Sequence, residues 1–156
     1  MRVWRLCRRR LLGNPLDGSG ARKHGGRWNH KGTPIVYCSS SLSLAALEYL
    51  VHGHGDLMPG DLVSISIELP SSISSRAVRL ESLPRNWRTY PAPIMLQDIG
   101  TDWARRKESL LLRVPSAVIP TEENCLLNPA HEEISKVTVG EVIPFQFDPG
   151  LTGRRN

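Results

Sequence analysis

Apolar and polar residues alternate strictly between Val63 and Leu69, and Pro70 follows the last apolar position. A period of two places successive side chains on opposite faces, so this segment predicts a half-buried β-strand. Shorter apolar runs predict three further strands, at residues 35–38, 76–80 and 110–114.

Two more apolar segments, at residues 134–139 and 142–147, flank Gly140-Glu141 near the end of the chain. A glycine between two such runs predicts a β-hairpin. Pro144 has no backbone N–H to donate to a neighbouring strand, which favours a position at the edge of a sheet.

Helical spacing is clearest over residues 41–52, where Leu44, Leu47 and Val51 predict one apolar face. The first residue of this segment is a serine that can cap the helix, and the glycines at 53 and 55 end it.

A second, short helix containing Trp103 is predicted to begin at Thr101. Residues 13–26 hold five glycines and predict a long loop. Strands outnumber helices and do not alternate with them regularly, which predicts an α+β fold with a mixed or antiparallel sheet. The length of 156 residues favours a single compact domain over residues 1–156, with residues 149–156 as a flexible tail.

The net charge of +5 is concentrated at the start of the chain. The first ten residues contain five arginines and no acid, so the remainder carries 5 − 5 = 0. This distribution argues against the broad positive face of a nucleic-acid-binding protein. The run Arg8 to Arg10 is either a solvated or ion-paired cluster or a contact for RNA. The 16 arginines against four lysines favour recognition of carboxylate or phosphate groups.

Several common site motifs are absent from the sequence. It contains no GxGxxG, no P-loop and no GxSxG, which argues against Rossmann and Walker nucleotide sites and against a serine hydrolase. The three cysteines have no zinc spacing and are expected as reduced thiols. No apolar run approaches the length of a membrane span or a secretion signal, so a cytoplasmic protein is expected.

Glu48 lies one helical turn after Leu44, within the arc of the apolar face. A carboxylate in this position must pair, become protonated or face a cavity, because unpaired burial is costly. Two interpretations stay open. Glu48 is either a functional carboxylate in a cleft, or a glutamate at the edge of the stripe whose carboxylate reaches water.

The run Gly25-Gly26-Arg27-Trp28-Asn29 is a candidate nucleotide-binding segment. The glycines allow a ligand to approach the backbone closely, while the arginine and tryptophan offer a phosphate fork and a stacking face. The alternative is an ordinary turn whose Trp28 fills the core and whose Arg27 is solvated. Tyr37, on the strand that follows, belongs either to the core or to the same site.

Segments in a fixed order over nearly the whole chain form a larger pattern. They are Trp4-Arg5, Gly25 to Asn29 with Gly32, Val36-Tyr37, Ala45 to His52, Val114 to Ala117, Asn124, Asn128 to His131, and Phe147-Asp148. Together they resemble the RES domain family, the toxin half of bacterial Res–Xre toxin–antitoxin pairs. The family often has an arginine soon after Phe-Asp, whereas Pro149-Gly150-Leu151 follows here.

The resemblance implies an ADP-ribosyltransferase-like fold and an enzyme that consumes NAD+ as substrate. By position, Arg27, Tyr37 and Glu48 match the central polar triad of the family, and Arg5 and Ser116 match further pocket residues. In that interpretation Glu48 stabilises positive charge on the ribose, and Arg27 holds the diphosphate with help from Arg5. Tyr37 stacks on or orients nicotinamide, and Ser116 bonds the carboxamide or ribose.

The resemblance also implies partners. An Xre-like antitoxin is expected to bind the protein in a heteromeric complex, within which homo-oligomers are an option. No metal and no membrane are implied, and direct binding of nucleic acid is not expected.

The acceptor of the ADP-ribose group stays open at this point. Water or phosphate would make the protein an NAD+-degrading enzyme, whereas a protein side chain would make it a mono-ADP-ribosyltransferase. Two alternatives without turnover remain, a nucleic-acid-binding module that uses the arginine-rich start and a domain that binds a nucleotide. Asn128 and His131 are either functional or structural.

Overall fold

The computed structural model describes residues 1–52 and 59–152. The glycines expected to end the first predicted helix, at 53 and 55, and residues 153–156 of the predicted tail lie outside the described residues. The part of the tail that is described, Pro149–Thr152, forms a 3₁₀ turn.

The described chain is built on one sheet of seven strands. The strands are β1 (Arg2–Arg8), β2 (Val36–Ser39), β3 (Leu62–Glu68), β4 (Ser75–Ala77), β5 (Leu111–Pro115), β6 (Glu123–Leu127) and β7 (Thr138–Pro144). Their order across the sheet is β4-β5-β6-β2-β1-β3-β7. Only β4 and β5 pair in parallel, so the sheet is mixed and mainly antiparallel. The α+β prediction is confirmed.

Three α-helices accompany the sheet in the described residues: α1 (Ser19–His24), α2 (Leu42–His52) and α3 (Ile94–Arg106). No helix in residues 1–52 and 59–152 is long and apolar enough to cross a membrane. The start of α2 agrees with the sequence, because the Ser41 hydroxyl accepts a hydrogen bond from the Leu44 N–H at 3.1 Å.

The predicted apolar face of α2 is wrong. Leu44 is buried, but Leu47 is 39% exposed and Val51 is 61% exposed. The inward side of the helix instead carries Leu44, Ala45 and, one turn later, Glu48. Spacing alone misassigned this face because an outward leucine and an inward glutamate contradict the usual rule of burial.

The predicted hairpin around Gly140 is also wrong. Residues Glu132–Lys136 form a 3₁₀ helix, and β7 runs through Gly140 without turning. A Cβ at this position would lie 2.2 Å from the Ser66 hydroxyl oxygen, so the glycine permits close approach of β7 to β3. The edge position that Pro144 predicts is confirmed, because β7 is the last strand of the sheet.

Other elements differ from their sequence predictions. Of the strand predicted at residues 76–80, only residues 76 and 77 belong to β4. The predicted loop over residues 13–26 contains α1. Thr101 lies inside α3 rather than at its start, where its side-chain oxygen accepts a hydrogen bond from the His30 N–H at 2.9 Å. Strands β1 and β6 have no clear sequence signal, since arginines interrupt the first and acidic residues precede the second.

The sheet separates two hydrophobic cores. We call the loop face the side that carries Val3, Val36, Cys38, Ile65, Ile67, Leu111 and Cys125, with Leu12 and Leu16 packed against it. We call the α3 face the side that carries Leu112, Val114 and Leu126, which packs on Trp28, Trp87 and the α3 residues Leu96 and Trp103.

The sheet is weakly joined at its centre. Strands β1 and β3 pair along their whole length, whereas β1 and β2 share the single register pair Trp4 with Ser39. Helix α2 follows β2 directly and contacts both β1 and β2, so it lies over this junction. The fold therefore places the inward side of α2 where two blocks of the sheet meet.

Asn128 and His131 both make hydrogen bonds within the fold. Asn128 is 1% exposed, and its side chain donates to the Ala104 carbonyl at 2.9 Å and accepts from the Ala130 N–H at 3.0 Å. His131 precedes the 3₁₀ helix and accepts the Glu133 N–H on Nδ1 at 3.2 Å.

Glu133 should make stability depend on pH in the acid range. Its carboxylate accepts bonds from the Ser74 hydroxyl and backbone N–H and from Lys136, which together lower the pKa of Glu133 to about 2. A carboxyl group with a depressed pKa stabilises the fold above its unfolded pKa of about 4.3, and this contribution is lost as pH falls toward 2. We expect Glu133→Gln to lower Tm by a few degrees at pH 7.

Thermal unfolding followed by circular dichroism at pH 7, 4 and 2 tests this expectation. The Tm difference between Glu133→Gln and wild type should shrink as pH falls from 4 to 2. The control is Glu132→Gln, because Glu132 is exposed and its carboxylate has no bond within residues 1–52 and 59–152. A Tm difference that is the same at all three pH values would contradict the proposed linkage.

Candidate functional site

A single carboxylate collects hydrogen bonds at the junction of the two sheet blocks. The Glu48 side chain is 17% exposed, and its Oε1 accepts from Ser116 Oγ at 2.7 Å and from Asn124 Nδ2 at 2.6 Å. Its Oε2 lies 3.2 Å from Nε2 of His52, one helical turn later. The end of β5, the start of β6 and α2 itself therefore all direct polar groups at this carboxylate.

These contacts keep the Glu48 carboxylate ionised. Burial by itself raises the pKa of Glu48, but hydrogen bonds from His52, Ser116 and Asn124, together with the charge of His52, outweigh it and leave the pKa below its ordinary value. Because the carboxylate still reaches solvent, it can stabilise positive charge that develops on a ligand.

Ser116 is fully buried and fixed in orientation. Its hydroxyl donates to Glu48 and accepts the backbone N–H groups of Val118 at 3.1 Å and Ile119 at 3.0 Å. Since the hydroxyl has one proton, these bonds direct it at the carboxylate. The structure thus brings together Glu48 and Ser116, two candidates that lie 68 positions apart in the sequence.

A second group of contacts holds the turn that contains the two adjacent glycines. The Tyr37 hydroxyl donates to Asn29 Oδ1 at 2.7 Å and accepts the Trp28 N–H at 3.0 Å. A Cβ on Gly26 would lie 2.7 Å from the Tyr37 hydroxyl oxygen, so only glycine allows this approach. Burial raises the pKa of Tyr37 far above its ordinary value, and the phenol stays neutral.

Arg27 projects from this turn toward a neighbouring segment. Its Nη1 donates to the Trp87 carbonyl at 2.7 Å and its Nη2 to the Thr89 carbonyl at 3.3 Å. Its Nε is buried and has no hydrogen-bond partner among the described residues. Burial lowers the pKa of Arg27, while the negative charge of Glu48 opposes that shift, so the two side chains lie within electrostatic reach.

A model of one protein family matches this chain over residues 2–148, and its description is RES domain. The chain belongs to the RES domain family. The match covers the elements that contribute Arg27, Tyr37, Glu48 and Ser116.

Similar proteins agree with this assignment over nearly their whole length. A protein named Toxin Res from Yersinia enterocolitica is 41% identical over 152 residues, which cover 97% of this chain and 99% of that protein. A protein named Prs ADP-ribosylating toxin from Sphingobium is 35% identical over 152 residues, which cover 95% of this chain and 94% of that protein. A crystal structure of the M. tuberculosis MbcT–MbcA toxin–antitoxin complex contains a chain with the same fold, at a TM-score of 0.72 and 14% identity. The match covers 97% of this chain and 86% of that one.

Within this RES domain, Trp28 and Asn29 are both buried. The Trp28 ring is 2% exposed and packs in the core against α3, so it offers no stacking face. The Asn29 side chain is fully buried, and its amide nitrogen donates to the carbonyls of Ala21, His30 and Thr33. In this structure both side chains hold the turn that presents Arg27, and their contact with a nucleotide stays a prediction.

Arg5 is also separated from the group around Glu48. Trp4 pairs with Ser39, whose hydroxyl donates to Asn124 at 2.7 Å on the α3 face. Because side chains alternate along a strand, Arg5 lies on the loop face, where its Nη1 donates to the Pro15 carbonyl at 2.5 Å. In this structure Arg5 is bonded away from Glu48, and its help at the diphosphate stays a prediction.

The arginine run after Arg5 is partly ion-paired. Arg8 bonds Asp61 through its side chain, the Arg9 N–H donates to the Asp61 carbonyl at 2.7 Å, and Arg10 lies 3.8 Å from the same carboxylate. This arrangement favours the ion-pair interpretation of the run over contact with RNA.

Three residues that contact one another or Glu48 at the candidate site had no role predicted from the sequence, namely Ser39, Asn124 and His52. Ser39 and Asn124 are register partners on β2 and β6, and β6 has no clear sequence signal. The available signal for His52 was its place four residues after Glu48, on the same side of a helix.

The described residues contain no group of three or more His, Cys, Asp or Glu side chains that could hold a metal ion.

Proposed function

We propose that this RES domain is the toxin of a toxin–antitoxin pair and that it consumes NAD+ by cleaving the nicotinamide–ribose bond. The observation that carries the proposal is the ionised, partly exposed Glu48 carboxylate held by Ser116, Asn124 and His52. The family match and the name of the Sphingobium relative, an ADP-ribosylating toxin, support this chemistry.

The role of Glu48 follows from the charge that bond cleavage creates. Loss of nicotinamide leaves the ribose with oxocarbenium-like positive charge, which a fixed carboxylate stabilises as in glycoside hydrolysis. Because donors already surround Glu48 in the free protein, little reorganisation is needed when that charge develops. Nicotinamide leaves as a neutral group, so no strong general acid is required.

The turn that carries Arg27 forms the neighbouring part of the proposed substrate site. Arg27 supplies positive charge within reach of Glu48, and that charge favours binding of the diphosphate. Tyr37 is partly exposed, and its hydroxyl is committed to Asn29 and Trp28, so any contact with nicotinamide is made by the ring. Ser116 acts on the substrate through Glu48, since its only proton points at the carboxylate.

We propose water or phosphate as the acceptor, so that free NAD+ is degraded, with a protein side chain as the second candidate. The name of the Sphingobium relative, Prs ADP-ribosylating toxin, favours the second candidate. Products distinguish the three acceptors: water gives ADP-ribose, phosphate gives a phosphorylated ADP-ribose, and a protein acceptor gains the mass of one ADP-ribose group. Chromatography of nucleotides and intact-mass analysis after incubation with NAD+ measure all three.

An antitoxin partner is proposed by comparison with the MbcT–MbcA complex, whose fold this chain shares. We expect a cognate Xre-like antitoxin to bind this protein and to obstruct the cleft at Glu48. Nicotinamide release that is unaffected by a saturating cognate antitoxin would contradict an obstructing role.

A further inference from the structure

The segment over residues 84–91 crosses from the Arg27 side of the site to the Ser116 side. Arg27 donates to the carbonyls of Trp87 and Thr89, as described above. Between them, Arg88 Nε donates to the Ala117 carbonyl at 2.9 Å, and Ala117 directly follows Ser116. The Arg88 guanidinium therefore lies beside the turn that holds the hydroxyl partner of Glu48.

Arg88 is exposed, yet the backbone that carries it is fixed. The carbonyls on both sides of it are bound by Arg27, and the adjacent Trp87 ring is 7% exposed in the core. Within residues 1–52 and 59–152, the Arg88 side chain makes no ion pair and no hydrogen bond other than that to Ala117. An unpaired cation on an ordered backbone loses little conformational freedom when it binds an anion.

We propose that Arg88 binds the diphosphate of the nucleotide substrate and that Arg27, besides its own charge, is a positioning residue for the segment that carries Arg88. The inference rests on the proposed function, because it assigns a contact within the same NAD+ site. Both Nη atoms of Arg27 already donate to carbonyls, and Arg5 lies on the loop face. A diphosphate carries two negative charges, so a second guanidinium on the α3 face completes its recognition.

Arg88→Gln separates this role from a structural one. Glutamine keeps an N–H donor that can reach the Ala117 carbonyl, but it removes the charge. We expect the dissociation constant for ADP-ribose, measured by calorimetry, to rise about tenfold to a hundredfold, as for loss of a charged hydrogen bond. The salt dependence of that affinity should weaken, and Tm should stay at the wild-type value.

The matched control is Arg85→Gln, which removes the same charge from an exposed position of the same segment. It should leave the affinity for ADP-ribose unchanged. The proposal is overturned if wild type does not bind ADP-ribose or if Arg88→Gln binds it as tightly as wild type does. It is also overturned if Arg85→Gln loses as much affinity for ADP-ribose as Arg88→Gln. A weaker affinity with a lowered Tm and an unchanged salt dependence would likewise overturn it, since only the structural bond to Ala117 would then matter.

Failure of this inference is distinguishable from failure of the proposed function. A wild-type protein that binds ADP-ribose through Arg88 but releases no nicotinamide would contradict the enzyme and support the Arg88 contact. Nicotinamide release by wild type together with wild-type affinity in Arg88→Gln would support the enzyme and overturn the Arg88 contact.

Discussion

Glu48→Gln should lower the rate of nicotinamide release from NAD+ by roughly a hundredfold to a thousandfold, the scale seen when one preorganised electrostatic group is removed. Glutamine keeps an oxygen in the place of Oε1, so the bonds from Ser116 Oγ and Asn124 Nδ2 persist. What is lost is the negative charge that faces the ribose in the proposed function. Because that charge matters most when the bond breaks, turnover should fall far more than NAD+ binding.

Glu123→Gln is the control for this variant. It removes a carboxylate next to Asn124 in the chain, but Glu123 pairs with Arg113 at 3.4 Å and does not touch Glu48. Initial rates at saturating NAD+ and equilibrium binding of NAD+ to both variants give the two quantities needed. Full activity in Glu48→Gln would rule out Glu48 as the electrostatic stabiliser.

Gly100→Ala should destabilise the fold by more than about 3 kcal/mol, beyond the ordinary cost of overpacking a core. A Cβ at Gly100 in α3 would lie 1.9 Å from the Trp28 carbonyl oxygen, and the nearest atoms belong to the backbone. Alanine gains only about 1 kcal/mol of helix propensity over glycine, so the steric cost dominates. Since α3 would have to move away from the turn that carries Arg27, activity should fall together with stability.

The comparison for Gly100→Ala is Gly20→Ala in α1, where a Cβ meets nothing within 4 Å. That variant should equal or slightly exceed wild type in free energy of unfolding, as measured by urea denaturation. A Gly100→Ala protein with wild-type stability would show that the close packing of α3 on Trp28 is not needed.

Local patterns predicted those elements whose signal lies within one segment. The alternation at residues 63–69 predicted β3, Ser41 predicted the start of α2, and Pro144 predicted an edge strand; all three agree with the structure. The hairpin prediction failed because a glycine in an apolar run is compatible with a turn or with close strand contact. Only the position of Ser66 on a distant strand distinguishes the two.

The site was harder to predict because its contacts join distant positions. Glu48 was conspicuous beside an apolar stripe, but the stripe itself was assigned to the wrong side of α2. Asn124 reaches Glu48 only because β6 pairs with β2, and β6 has no sequence signal of its own. Arg5 was a candidate through the family resemblance and Trp28 by residue type; strand alternation places Arg5 on the loop face, and core packing buries Trp28, and neither position could be read from the sequence.

Release of free nicotinamide from NAD+ by the purified, antitoxin-free protein, followed by chromatography, tests the central claim most directly. The assay supplies water, phosphate and a protein mixture as acceptors in separate reactions. We predict nicotinamide release by wild type with at least one acceptor and its near loss in Glu48→Gln. No release by folded wild-type protein with any of the three acceptors would contradict the proposed function.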